Sequence, residues 1–245
     1  MNAENKKEVE EEDEPEPQRN FTFAQLRFFD GTVEKNTDEK KPVYLSVNGI
    51  VFNVSNGRDF YGPGGPYELF AGHECGVALA KMSFDTTHLD NLVGCLSLNF
   101  GEKNELDGWI DKFQYYRCYP IMGRLVPDDD LTSSDRIISL EDLANNDGTG
   151  EIPKGYAAAP IYLCAKGRVY DVSFGGVTFY GPGCAYAKFA GKDVSRALAK
   201  MSFDPNDIEV SDISDLSDKE KKVLDDWVKT FEEKKLYPCI GNIFR

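Results

Sequence analysis

The stretch Phe-Tyr-Gly-Pro-Gly-Gly-Pro-Tyr at residues 60–67 recurs as Phe-Tyr-Gly-Pro-Gly-Cys-Ala-Tyr at residues 179–186. Each copy places two tyrosines six residues apart on a loop rich in glycine and proline. The octapeptide Ala-Leu-Ala-Lys-Met-Ser-Phe-Asp is then identical at residues 78–85 and 197–204. A chain of 245 residues has room for two domains of about 100 residues each, so the repeat indicates two copies of one domain.

The residues before each loop predict a β-hairpin. In the first copy two runs rich in β-branched and aromatic residues at 43–54 are joined by Asn48-Gly49, a dipeptide that favours a type I′ turn. The second copy has the same arrangement at residues 161–172 around Lys166-Gly167, which is a weaker turn signal. Both copies are therefore expected to fold as hairpins in the same register.

Helices are predicted from caps and apolar spacing. Thr22 and Ser139 are in position to cap a short helix at the start of each copy. Residues 72–81 and 191–200 have helical composition. An amphipathic helix carries a tryptophan in each copy, and the second of these helices begins with a capping box of Ser217 and Glu220. Each copy then ends on a strand, at residues 119–123 and 237–241.

These patterns divide the chain into four segments. They are an acidic tail at residues 1–19, a first domain at 20–126, a linker at 127–136 and a second domain at 137–245. The tail is too charged and too poor in apolar groups to order itself, so we expect it to be disordered. Each domain carries its own hairpin, loop and helices, so we expect the two to fold separately when the linker is cut.

Composition limits the class of protein. The formal charge of −14 argues against a nucleic-acid partner, because a phosphate backbone requires clustered lysines and arginines. The sequence has no run of about 18 apolar residues, which predicts no transmembrane segment. The acidic start does not resemble a targeting peptide, so a cytoplasmic location is expected, with a mitochondrial or membrane-peripheral location in a complex as the alternative. The six cysteines have no paired spacing and are expected to be free thiols.

Taken together, the hairpin, the tyrosine loop, the Phe-Ala-Gly that follows it, the tryptophan helix and the closing Tyr-Pro-x-x-Gly resemble the membrane-associated progesterone receptor family. Its members contain a cytochrome b5-like heme/steroid-binding domain. The resemblance covers two tandem copies from residue 20 to 245 and implies an α+β fold in which helices line a pocket for heme b. It also implies that a tyrosine phenolate, not a pair of histidines, holds the iron.

The family's site residues fall on tyrosines in both copies. The axial ligand corresponds to Tyr67 and Tyr186. The earlier tyrosine of the loop and the tyrosine that closes the pocket complete the implied heme-binding set, which comprises Tyr61, Tyr119, Tyr180 and Tyr237. The residues also argue against a His-ligated cytochrome, because the chain has only two histidines, at positions 73 and 88, and the second copy has none.

Two departures from the family pattern bear on function. A lysine that meets a heme propionate in the family is replaced by Cys118 and Leu236, although Arg117 and Lys235 lie one residue away and are available to substitute. The second loop also lacks the proline that precedes the candidate ligand in the first, so Tyr67 is expected to be the better ligand of the two.

Three functions remain open at this point. The leading hypothesis is a soluble protein with tyrosine-ligated ferric heme in one or both domains, which serves heme binding, delivery or sensing, since a hard phenolate stabilises ferric iron. The second is a heme-free scaffold or accessory subunit that binds protein partners in a larger complex. The third is binding of a steroid or another apolar ligand. We expect no enzyme, because no nucleophile and base pair, metal cluster or nucleotide loop is evident.

Overall fold

The computed structural model describes residues 16–34, 37–127, 131 and 136–243. Most of the predicted tail and most of the predicted linker therefore lie outside the described residues. Each repeat forms a small mixed β-sheet with short helices packed against it, which confirms the α+β class.

The first domain contains these elements: β1 (Arg19–Phe21), α1 (Phe23–Leu26), β2 (Tyr44–Val47), β3 (Ile50–Asn53), α2 (Arg58–Tyr61), α3 (Gly76–Ala80), α4 (Phe100–Asp111) and β4 (Ile121–Leu125). The second contains these: β5 (Ile137–Ile138), α5 (Leu140–Asn145), β6 (Tyr162–Ala165), β7 (Arg168–Asp171), α6 (Val177–Tyr180), β8 (Lys192–Asp193), α7 (Ser195–Lys200), α8 (Pro205–Glu209), α9 (Asp218–Lys229) and β9 (Cys239–Ile243). A π-helical turn extends α4 to Tyr116 and α9 to Lys234.

The two sheets share one plan. Their strand orders are β1-β4-β3-β2 and β5-β9-β7-β6-β8, and the first strand of each domain runs parallel to the last. Strand β1 begins at Arg19, the last residue of the predicted tail. Three residues are too few to show a strand pattern in the sequence, and pairing with β4 is what orders them.

Both hairpins form as predicted. The turn residues Asn48 and Gly49 have φ values of 52° and 77°, and Lys166 and Gly167 have 55° and 80°. Two consecutive left-handed residues define the type I′ turn that matches the twist of the strands. Lysine is strained there, and the paired strands β6 and β7 hold it in that conformation.

The helix predictions are confirmed at their caps, but the helices predicted at residues 72–81 and 191–200 are both shorter in the structure. Thr22 and Ser217 both form reciprocal capping boxes, with Gln25 and Glu220. Helix α3 begins only at Gly76, because the residues before it bond to β2: Ser46 N donates to His73 O at 2.9 Å. In the second domain the corresponding residues form β8, which pairs with β6. Helical composition was therefore overridden by pairing at the sheet edge.

The two domains contact each other through buried polar side chains. Asn20 is fully buried, and its amide donates to Ser173 Oγ at 2.8 Å and to Ala158 O at 3.1 Å, while its Oδ1 accepts from Ala157 N at 2.8 Å. Gln25 Nε2 donates across the same boundary to two carbonyl oxygens, those of Phe174 at 2.5 Å and Lys235 at 2.9 Å.

An apolar cluster accompanies these bonds. It joins Val126 of the first domain and Leu131 of the linker to Phe174 and Tyr156 of the second domain. Leu131 is 6% exposed and Phe174 is fully buried. The linker is therefore packed at this point, and the domains have a specific mutual contact.

Cleavage at a protease site inserted at residues 128–130 should give two folded halves that stay associated, because Asn20 and Gln25 still bridge them. Size-exclusion chromatography of the nicked protein checks this. Nicked Asn20→Ala/Gln25→Ala protein should elute as two separate species, since each lost hydrogen bond costs about 1 kcal/mol. Insoluble halves would contradict the prediction of two domains, and separation of the nicked wild type would show that the contact is too weak to hold them.

A second prediction concerns Asp171, whose counterpart in the first domain is Asn53. Asp171 is 2% exposed, and its Oδ1 accepts from Ser173 N at 2.9 Å, just as Asn53 Oδ1 accepts from Ser55 N at 3.0 Å. Burial raises the pKa of Asp171 from 3.8 to about 6. The folded state therefore binds a proton more tightly than the unfolded state, and stability is lost as pH rises from about 4 to about 6.

Asp171→Asn keeps the acceptor oxygen and removes the charge. It is expected to stabilise the second domain at pH 7 by up to about 3 kcal/mol, the free-energy equivalent of about 2 in pKa, and to have little effect at pH 4. Urea unfolding at both pH values measures the difference. A gain of equal size at both would show that the charge on Asp171 is not its cause.

Candidate functional site

The tyrosine loop has the same backbone in both domains. Helix α2 ends at Tyr61 with Gly62 as its C-cap, and the chain turns through Gly64 at a φ of 83°, so that Tyr67 N donates to Phe60 O at 2.8 Å. In the second loop Gly183 has a φ of 82°, and Tyr186 N donates to Phe179 O at 2.9 Å. The glycine supplies a conformation that other residues adopt at a cost. Loss of the proline before Tyr186 has not changed the path of the chain.

This loop brings the predicted tyrosines together. In the first domain the ring centroid of Tyr61 lies 5.8 Å from that of Tyr67 and 6.3 Å from that of Tyr119. In the second domain the Tyr180 and Tyr186 centroids are 5.9 Å apart. All six predicted residues therefore lie in two equivalent clusters, one in each domain.

Burial separates the tyrosines into two kinds. Tyr61, Tyr119, Tyr180 and Tyr237 are all buried, and burial raises the pKa of each phenol, to about 12 for Tyr237. Tyr67 and Tyr186 are half-buried at the cluster edge. The buried phenols stay neutral at physiological pH and can donate hydrogen bonds, whereas the half-buried pair has access to a ligand from solvent.

A cavity adjoins each candidate ligand. In the second domain Tyr180, Tyr186, Tyr237, Trp227 and Lys235 line a cavity of 190 Å³. Another of 90 Å³ extends from Tyr186 towards Phe203. In the first domain a cavity of 210 Å³ lies between Tyr67, Phe84 and Trp109. It corresponds to the 90 Å³ cavity of the second domain, and neither Tyr61 nor Tyr119 lines it.

Two tryptophans and two phenylalanines join the predicted tyrosines at the site. The sequence predicts Trp109 and Trp227 as core residues, and they do pack against the cores, but each also lines a cavity. Phe84 and Phe203 lie 5.7 Å and 5.3 Å from the candidate ligand rings. The identical octapeptide, which contains both phenylalanines, was the available signal.

The cations near each site are the ones expected to substitute for the missing lysines. The Lys235 ammonium lies 5.3 Å from the Phe179 ring centroid and lines the second cavity. The Arg117 guanidinium lies 5.8 Å from the Phe60 ring centroid. Each cation thus lies over the aromatic residue that precedes the first loop tyrosine of its domain. Cys118 is exposed, and Leu236 lines a different cavity, between the domains.

Within the described ranges no group of three or more histidines, cysteines or acidic residues has the geometry to hold a metal ion. None of the described helices is long and apolar enough to cross a bilayer. All six cysteines are free, as predicted.

The paired sheets, the tyrosine loop and the helices around it define a tandem heme/steroid-binding domain of the cytochrome b5 type. The sequence model of the family described as "Cytochrome b5-like Heme/Steroid binding domain" matches residues 30–114 and 139–243. The chain belongs to this family and contains two copies of its domain.

Three relatives show where the similarity lies. Probable steroid-binding protein 3 of Arabidopsis thaliana is 45% identical over 43% of this chain and 95% of its own length. The cytochrome P450 regulator dap1 of Schizosaccharomyces pombe is 38% identical over 48% of this chain and 68% of its own length. Human membrane-associated progesterone receptor component 2 is 36% identical over 44% of this chain but only 46% of its own length. Each match corresponds in length to one domain of this protein.

Proposed function

We propose that this protein binds ferric heme b, with Tyr67 and Tyr186 as the axial ligands. The observation that carries the proposal is the division of each tyrosine cluster into one half-buried ring at a cavity and buried neutral phenols beside it. No described residue forms a hydrogen bond with any of the six hydroxyls, so all six remain available to a ligand.

The chemistry of the side chains fits this cofactor. A bound heme would supply a ferric iron that lowers the pKa of the coordinating phenol, and phenolate in turn favours ferric iron. Tyr180 and Tyr237, which line the 190 Å³ cavity, would donate hydrogen bonds to the carboxylates or the edge of the ring system. Tyr61, whose ring centroid lies 5.8 Å from that of Tyr67, would do the same in the first domain. The tryptophans and phenylalanines of the cavity walls supply apolar contacts to its faces.

The size of the cavities limits how a heme could lie. At 190 and 210 Å³ they are smaller than the roughly 300–1,000 Å³ of a pocket that encloses a drug-sized ligand. A heme would therefore keep part of its surface in solvent. An open site of this kind suits binding, delivery or sensing of heme better than catalysis, and we propose a binding function and not an enzyme.

Hemin titration of the full chain, followed by absorption spectroscopy, tests the proposal. We expect saturable binding of up to two hemins with a ferric spectrum that lacks the features of a bis-histidine site, and resistance to reduction because phenolate favours ferric iron. Absence of saturable binding would overturn the proposal. It would favour the heme-free scaffold or subunit hypothesis, to which the replacement of the family's lysine by Cys118 and Leu236 also points.

The two sites are expected to differ in affinity. The loops have the same path, but Pro66 restricts the chain before Tyr67, whereas Ala185 leaves Tyr186 freer when no ligand is bound. One such constraint is worth about 1 kcal/mol, or about fivefold in affinity, in favour of the first site. Comparison of hemin affinity in Tyr186→Phe with that in Tyr67→Phe measures the ratio. Equal affinities, or tighter binding by the second domain, would contradict this order.

Exchanging proline and alanine between the two equivalent positions, 66 and 185, provides the matched control. Ala185→Pro should raise the affinity of the second site, and Pro66→Ala should lower that of the first by a similar factor. If neither substitution changes its site, the loop composition does not set the difference.

A further inference from the structure

A cleft of 160 Å³ lies between the two domains, next to the second tyrosine cluster. The first domain contributes Arg19, Phe28 and Phe29, and the second contributes the backbone at Gly175 and residues 234–237, which include Lys234 and Lys235. The residues that line it include three cations and no carboxylate. This cluster of positive charge is unusual in a chain with a formal charge of −14.

Arg19 is the central cation of the cleft. Its guanidinium carbon lies 4.3 Å from the ring centroid of Phe21 and 5.3 Å from that of Phe29. On the side of the second domain, Nη1 lies only 2.6 Å from the position that a Cβ on Gly175 would occupy. A side chain there would collide with the guanidinium. Glycine at position 175, with a φ of 107°, therefore allows an arginine of one domain to approach the backbone of the other.

The charge of Arg19 is not paired within the described part of the chain. No described carboxylate lies within 4.0 Å of its guanidinium or of the Lys234 and Lys235 ammonium groups. Exposed Glu16 acts on Arg19 only through longer-range attraction, and burial lowers the pKa of Arg19 below its ordinary value. A planar guanidinium with free N–H groups is the side chain best suited to bind a carboxylate in bidentate fashion.

The cleft adjoins the second tyrosine site. Lys235 and Tyr237 line both the cleft and the 190 Å³ cavity beside Tyr186. Leu236, which stands where the family resemblance expects a cation, also lines the cleft. Arg19 thus brings a positive charge from the first domain to the edge of the second domain's site.

We propose that this interdomain cleft is a carboxylate-binding site in which Arg19 of the first domain and Lys235 of the second hold the anion together. The carboxylate belongs either to a ligand seated in the adjoining cavity or to a small free carboxylate. Only the first of these sources rests on the proposed heme function. In both cases the site exists only while the domains are in contact, so ligand binding and domain contact stabilise each other.

Binding of a small free carboxylate is tested with succinate and the full chain without heme. In a ¹H–¹⁵N NMR titration, saturable shifts should appear at Gly175 and at residues 234–237 and should weaken with added salt. Arg19→Gln and Lys235→Gln should each raise the Kd about tenfold, because a charge-assisted hydrogen bond is lost. Lys235 is exposed, so its variant is expected to fold even if Arg19→Gln does not.

Arg136→Gln is the matched control. Arg136 is the structural counterpart of Arg19 in the second repeat. The Arg19 carbonyl lies beside Gly123 of the last strand of its sheet, and the Arg136 carbonyl lies beside the equivalent Gly241, where it accepts from Asn242 N. It is exposed and does not line the cleft. We expect its variant to bind succinate like the wild type.

Binding of a carboxylate that belongs to a ligand in the adjoining cavity is tested with hemin in a Tyr67→Phe background, where hemin can occupy only the second site. Hemin should bind more tightly than hemin dimethyl ester, whose carboxylates are blocked, and Arg19→Gln should remove most of that difference. A complete failure of hemin to bind would overturn the heme function but leave the succinate result intact. The cleft proposal is overturned if succinate gives no saturable shifts and Arg19→Gln does not change the preference for hemin over its ester.

Discussion

The variant Tyr67→Phe should lose heme from the first domain while keeping its fold. Phenylalanine retains the ring that contacts Phe70 and Phe84 at centroid distances of 5.9 Å and 5.7 Å, but it has no oxygen for the iron. Removing a residue that only hydrogen-bonds to a metal ligand typically costs about 10–100-fold in metal affinity, so removing the ligand itself should cost more than about 100-fold. Hemin titration of the Tyr186→Phe background, with and without Tyr67→Phe, isolates this site.

Tyr115→Phe is a suitable control for this substitution. Tyr115 is 66% exposed on the π-helical turn after α4 and does not line the cavity beside Tyr67, so its variant should bind hemin normally. Tyr61→Phe should have an intermediate effect, because a buried neutral phenol would contribute a hydrogen bond of about 1 kcal/mol and no iron bond. Unaltered hemin affinity and spectrum in Tyr67→Phe would exclude Tyr67 as the ligand.

The largest effect on stability is expected for Glu74→Ala. Glu74 is 1% exposed, and its carboxylate accepts four hydrogen bonds, from Ser46 Oγ at 2.5 Å, Asn48 N at 3.0 Å, Gly49 N at 3.0 Å and Gly76 N at 2.8 Å. It ties the hairpin turn to the start of α3. Alanine would leave three buried donors, those of Ser46, Gly49 and Gly76, without this partner, at about 1–3 kcal/mol each before relaxation.

We expect Glu74→Ala to lower the free energy of unfolding of the first domain by about 3–5 kcal/mol, measured by urea denaturation. Glu105→Ala is the control, because Glu105 is exposed on α4 and should change stability by less than about 0.5 kcal/mol. A loss of under 1 kcal/mol for Glu74→Ala would show that water replaces the carboxylate.

The second domain also bonds its hairpin turn to the start of the following helix, but it uses different residues. Asp193 has a shorter side chain, and its Oδ1 accepts from Ser195 N at 3.1 Å and Ser195 Oγ at 2.5 Å. Ser195 Oγ in turn accepts from Lys166 N at 2.9 Å, the turn residue that corresponds to Asn48. The pair of Asp193 and Ser195 therefore replaces the pair of Glu74 and Gly76. Gly76 leaves no room for a Cβ, which would lie 2.7 Å from Glu74 Oε1.

Some features of the chain follow from local sequence. The type I′ turn at Asn48-Gly49, the capping boxes at Thr22 and Ser217, and the folded-back tyrosine loop each depend on residues within about eight positions of one another. Backbone preferences and short-range hydrogen bonds determine such structures, so a single sequence predicts them well. The repeat extended these predictions to a second copy even where its own signal was weak, as at Lys166-Gly167.

The duplication, the two hairpins, the tyrosine clusters and the family were thus determined by the sequence itself. Only the tertiary structure decided the roles of Arg19, Asn20 and Glu74. In the sequence these are polar residues of the kind that usually face solvent. Asn20 and Glu74 are buried because partners distant in the chain satisfy them: Asn20 bonds to Ser173, 153 positions away, and Glu74 bonds to Ser46, 28 positions away. Arg19 is half-buried because its guanidinium lies against Gly175 of the other domain. Residue spacing does not predict such contacts. Those of Arg19 and Asn20 depend on how the two folded domains meet, and those of Glu74 depend on how the hairpin packs against the start of α3.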